Sequence, residues 1–106
     1  MKVVFILGSE SDKDFARKIQ NELDKWGVLY DLYVASAHKV PERVFDLVSK
    51  MNEEEEAIVY ITIAGRSNGL SGVTAANSIH PVIACPPFAD KDDMAVNINS
   101  TLQMPS

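Results

Sequence analysis

Three short polar stretches carry most of the side chains in this chain that could do chemistry. GSESD holds Gly8, Ser9, Ser11 and Asp12; SAHK is Ser36, Ala37, His38 and Lys39; GRSNGLSG contains Gly65, Arg66, Ser67 and Gly69. A histidine titrates near neutrality and can move a proton, and a lysine beside it offers a fixed positive charge to a carboxylate or phosphate. In the first stretch, serine hydroxyls and free amides at a helix N-terminus form a neutral-donor anion site aided by the helix dipole, and Gly8 lets the backbone turn tightly. Asp12 would repel a phosphate there and suits a pair of sugar hydroxyls. In the third, a chain with so few side chains can approach a ligand closely, and Arg66 can grip a phosphate with two parallel hydrogen bonds. Each stretch also has a plainer reading: Ser9 or Ser11 as an N-cap, His38 as a solvated loop residue, Arg66 as a surface cation on a turn. Three such loops together point to a site for a phosphorylated small molecule. The first loop is neither GxxxxGK[ST] nor GxGxxG, so it is not a nucleoside-triphosphate or dinucleotide loop.

The elements that must position these loops are legible from apolar spacing. Val3, Val4, Phe5, Ile6 and Leu7 form an uninterrupted run closed by Gly8, as in a strand buried on both faces of a parallel sheet. A helix follows over about 11–26, with Phe15, Ile19, Leu23 and Trp26 on one face and Gly27 at the left-handed C-cap position. VLYDLYVA, 28–35, is rich in β-branched and aromatic types and reads as a second strand. Pro41 opens a second helix that aligns Val44, Leu47, Val48 and Met51. The spacing then predicts a third strand over 57–64, a short helix from Leu70 to Asn77, a fourth strand over 81–85 and a helix over 90–103. Strand and helix alternate with short connections. The class is therefore α/β, a three-layer αβα sandwich with a mainly parallel, flavodoxin-like sheet in one domain, 1–106. In such a sheet ligands sit outside the carboxyl ends of the strands, which brings the three polar loops to one crevice.

Composition narrows the class of partner. The 106 residues are 46% hydrophobic and 24% charged, with a net charge of -5 and no apolar run near the ~20 residues of a membrane span. That excludes a membrane protein and, with no basic stripe to release counterions, a nucleic-acid partner. The N-terminal MKVVFILGS has an apolar run too short for a signal peptide and leads straight into a helix-start pattern. Cys85, the only cysteine, cannot form an internal disulfide and agrees with a reducing, cytoplasmic location. The acidic run Glu53 to Glu56 reads as a solvated helix end. Metal binding is not expected, because His80 precedes the fourth strand and falls at the opposite end of the sheet from His38.

GSxSD, then SAH[RK], then an AG-containing glycine-rich loop, then CPP after the fourth strand resemble, in this order, the phosphoribosylaminoimidazole carboxylase family of purine biosynthesis. The resemblance runs from residue 3 to 106. It implies a lyase that carboxylates 5-aminoimidazole ribonucleotide (AIR) with CO2, or a mutase that moves the carboxyl group within N5-carboxyaminoimidazole ribonucleotide. Mutase-class members have a third loop like AGGAAHLPG and an arginine after the histidine. AGRSNGLSG and Lys39 resemble the direct, CO2-using class instead. By the same resemblance, Ser9, Ser11 and Asp12 hold the ribose phosphate portion, Ser36 and Ala37 line the base, and His38 handles the proton on the imidazole carbon. Lys39 holds CO2 or the new carboxylate with Ser67 and the backbone at Gly69, while Gly8, Gly65 and Arg66 complete the substrate site. No biotin, ATP or metal is implied, and self-association to an octamer is. The family continues beyond a segment like LQMPS, 102–106, with another strand and C-terminal helices that this chain lacks. A truncated, non-catalytic nucleotide-binding or interaction domain is thus a further reading. A phospho-acceptor receiver domain is not, since Ala64 and Gly65 stand where its strand-end aspartate belongs.

Overall fold

The computed structural model describes residues 1–37, 39–65 and 69–103. Four strands, β1 (Lys2–Leu7), β2 (Leu29–Val34), β3 (Ile58–Ile63) and β4 (Val82–Ala84), form one sheet in the order β2-β1-β3-β4, with every pairing parallel. The helices are α1 (Lys13–Lys25), α2 (Pro41–Asn52), α3 (Leu70–Asn77) and α4 (Lys91–Gln103), and a 3-10 turn, Glu10–Asp12, leads into α1. The fold agrees with the expected αβα sandwich.

The apolar run of β1 follows from its place between β2 and β3, where both of its faces are covered. Val4 and Ile6 pack with Tyr60, Val44, Val48, Met51 and Leu70, so α2 and α3 cover that face. Val3, Phe5 and Leu7 point the other way, onto Ala16, Phe15, Ile19 and Leu23 of α1. Alternation of period two in the strand thus feeds two separate core layers. α4 lies on the α1 side, where Phe88 just ahead of it meets Phe15 edge to face, with ring centroids 5.5 Å apart.

One core expectation is corrected. Trp26 is 81% exposed and does not join the α1 face. The helix stops at Lys25, Gly27 turns at φ 67°, and Val28 N–H returns to Leu23 O while Gly27 N–H returns to Asp24 O. These two bonds make a Schellman closure, in which the residue after the glycine takes the apolar contact with the last turn. Val28 therefore packs in the layer that holds Leu23, and Trp26 is left outside.

Candidate active site

The sheet places the three polar loops at one edge, as expected. Gly8 N–H donates to Ile63 O and Ala35 N–H to Leu7 O, both at 2.8 Å, extending the parallel ladder one residue past each strand. The chain then fans out from Gly8, Ala35 and Ala64. Gly8 is favoured here by close approach rather than by an unusual φ, because a Cβ would stand 3.2 Å from Ala64 Cβ, a contact tighter than side chains usually make. His80 lies at the other end, beside Pro81, whose carbonyl accepts from Tyr60 N–H at 3.0 Å.

In the first loop the plainer reading describes the geometry. Ser9 caps the 3-10 turn, its Oγ accepting from Ser11 N–H at 3.3 Å, and the two serine hydroxyls share a 2.9 Å hydrogen bond. Asp12 follows, partly buried, and burial pushes its carboxyl above the usual carboxylate range against the opposing effect of a backbone hydrogen bond at Ser9. Ser11 and Asp12 line an open cleft of about 340 Å³ together with Phe15, Lys18, Phe88 and Asn97. Asp14 and Asp93 add two further carboxylates to its wall. Three carboxylates against one ammonium favour hydroxyl or amine donors over a phosphate in this part of the site.

The second loop is shaped by Ser36. Its Oγ accepts from Lys39 N–H at 3.2 Å and its carbonyl from Val40 N–H at 2.9 Å, a tight turn that delivers the chain to Pro41 at the start of α2. Ala37 packs against the core layer covered by α2, and Lys39 is exposed, its ammonium in no ion pair with another described residue. Ser36, Ala37 and Lys39 are not among the residues of the cleft that holds Ser11 and Asp12. In the third loop Gly69 opens α3, its carbonyl accepting from Val73 N–H, and Gly65 lies over the side chain of Asn97. His38, Arg66 and Ser67 fall outside the described residues.

Sequence reasoning missed the fourth loop as part of the site. Pro87 and Phe88 flank the cleft, and Asn97 closes it from α4. The signal was present in CPP, which was read as a family marker and not as a wall. Cys85, at the end of β4, is half-buried, and burial pushes its thiol up, away from nucleophile chemistry.

With this geometry in hand, comparison with known proteins becomes specific: the AIR carboxylase family model matches residues 2–106. The chain belongs to the AIR carboxylase family. A phosphoribosylaminoimidazole carboxylase of Archaeoglobus fulgidus is 46% identical over 106 residues, covering all of this chain and 57% of that protein. The bifunctional phosphoribosylaminoimidazole carboxylase/phosphoribosylaminoimidazole succinocarboxamide synthetase of Drosophila melanogaster is 38% identical over 98% of this chain and 24% of its own length. The crystal structure of Treponema denticola PurE superposes with a TM-score of 0.88 at 41% identity, covering 98% of this chain and 65% of that one. This AIR carboxylase family member thus spans a little over half the length of its Archaeoglobus relative, and the shared part is the four-stranded parallel sheet with its flanking helices.

Proposed function

We propose that this chain carries the AIR site of a carboxylase in purine biosynthesis and joins CO2 to the imidazole ring. The observation that carries the reading is that the chain leaves β1, β2 and β3 at the same, carboxyl end of a parallel sheet, at Gly8, Ala35 and Ala64, in a chain that the AIR carboxylase family model matches over residues 2–106. The aminoimidazole is an enamine, and its ring carbon is already nucleophilic. The carbon–carbon bond forms as that carbon attacks CO2 and one C=O π pair moves onto oxygen, making a carboxylate. The ring proton then leaves to a base, for which we assign His38, and aromaticity returns. Lys39, Ser67 and the backbone at Gly69 stabilise the developing carboxylate, and Ser9, Ser11 and Asp12 hold the ribose phosphate portion, Asp12 through the ribose hydroxyls. Orientation, a cation and a proton acceptor suffice for this step. The reading therefore needs no biotin, ATP or metal.

AGRSNGLSG and Lys39 support direct carboxylation over the mutase reaction. The exposed residues on both outer strands, Leu29 on β2 and Ile83 on β4, support self-association. The test is a carboxylation assay with AIR and bicarbonate, run in parallel with N5-carboxyaminoimidazole ribonucleotide. Turnover of the first alone is expected. Turnover of the second alone assigns the mutase reaction, and ribonucleotide binding without turnover of either makes the chain a binding domain.

A further inference from the structure

We propose that Asn97 is a positioning residue that sets the spacing between the loop after β3 and the loop after β4, which lines the cleft, acting through the backbone of Gly65 and of Pro87. α4 is arranged unusually around it. Asn97 is 5% exposed, while the neighbouring Val96 and Ile98 are left 44% and 39% exposed. A helix that buries an amide and turns apolar neighbours outward is meeting a specific polar requirement. Asn97 Nδ2 donates to Pro87 O, and Asp93 Oδ2, one turn earlier, accepts from Ala89 N–H at 2.9 Å. The loop after β4 is therefore tied to α4 at two points.

The other side of the carboxamide meets the glycine-rich loop. A Cβ built on Gly65 would lie 3.8 Å from Asn97 Oδ1 and 3.9 Å from Nδ2. Oδ1 is buried with no hydrogen-bond partner among the described residues. A leucine of similar size would remove that acceptor but would also leave Pro87 O without the Nδ2 donor, so the two effects on stability oppose each other. What the amide supplies and leucine cannot is the Nδ2 tie to Pro87 with a flat, polar surface under Gly65. It fixes the distance between Gly65 and Pro87, and Pro87 lines the cleft with Ser11 and Asp12.

The test has a ligand-free arm and a ligand arm, the second resting on the proposed AIR site. In Asn97→Leu the melting temperature stays close to that of the unsubstituted chain, while amide exchange at Gly65 and Ala89 accelerates about tenfold, the loss of roughly one hydrogen bond. The dissociation constant for AIR rises by a similar factor. Asn97→Asp separates donor from shape: AIR binding is weak at pH 8 and recovers as the pH falls and the new carboxyl gains an O–H for Pro87 O, a recovery absent from the unsubstituted chain. Unchanged exchange at both amides, or faster exchange with unchanged affinity, overturns the positioning role. An unsubstituted chain that does not bind AIR overturns the proposed function and leaves the exchange result to decide for Asn97.

Discussion

Asp12 sits at the mouth of the cleft with its carboxyl partly desolvated, and that placement sets stability against function. A carboxyl whose folded-state pKa lies above its unfolded value binds more protons when folded, so its contribution to stability falls as pH rises through the window just above 3.8. Asp12→Asn should raise the melting temperature at pH 7, with the gain disappearing below that window. The same substitution should weaken ribonucleotide binding. Melting curves between pH 3 and pH 7 check the first statement, and a stability gain that persists undiminished at pH 3 would contradict it. Lys39 is exposed and its ammonium meets no carboxylate among the described residues, so it is free of structural duty. Lys39→Ala should change stability by less than about 0.5 kcal/mol. It should raise the CO2 requirement of turnover more than the AIR requirement, and an equal rise in both would remove it from the carboxylate site. The types of these residues were legible in GSESD and SAHK; what their surroundings do to them was not. Asp12 shares its cleft with Phe15 of α1, Phe88 of the loop after β4 and Asn97 of α4, which come from three different segments.

At the scale of elements, boundaries followed from local chemistry. Pro41 starts α2, Gly27 ends α1, and α3 runs from Leu70 to Asn77 as its spacing predicts. Gly27 has φ 67°, so Gly27→Ala should destabilise the chain by about 1 kcal/mol even though a Cβ there meets nothing within 4 Å. Denaturant unfolding measures it; a change near zero would show that the α1 closure adapts without a left-handed residue. Trp26 was misread for a related reason. Helical spacing assigns a face only while the helix lasts, and the Schellman closure hands the next apolar contact to Val28. Asn97 was invisible at this scale, since nothing in KDDMAVNINSTLQ marks one asparagine for burial over its valine and isoleucine neighbours.

The whole molecule presents two outer strands, and they differ. β2 runs for six residues with charged Asp31 near its middle, tied to Lys2 at 3.1 Å, whereas β4 has three residues and leaves Ile83 53% exposed. The shortness of β4 limits strand pairing there, so association at this edge rests on the exposed apolar side chain of Ile83, and a lysine on such an edge discourages it. Sedimentation should show a species of several times 11.7 kDa. Ile83→Lys should shift it toward the monomer with an unchanged circular dichroism spectrum. A monomeric unsubstituted chain would remove self-association from the proposed function.

By itself the sequence determined the alternation of strand and helix, the burial of β1 on both faces, the glycine closure after α1 and the proline start of α2, and the set of polar loops that follow the carboxyl ends of the strands. All of these depend on periodicity, on proline and glycine stereochemistry, and on the rule that parallel strands share one carboxyl end, which operate over a few residues at a time. Only the tertiary structure decided which loops share a cleft. It joined the first loop to CPP and α4, set Ala37 into the core flank beside α2, and buried Asn97 between Pro87 and Gly65. Those contacts bridge segments tens of residues apart, where desolvation and hydrogen-bond partners come from packing and leave no pattern along the chain.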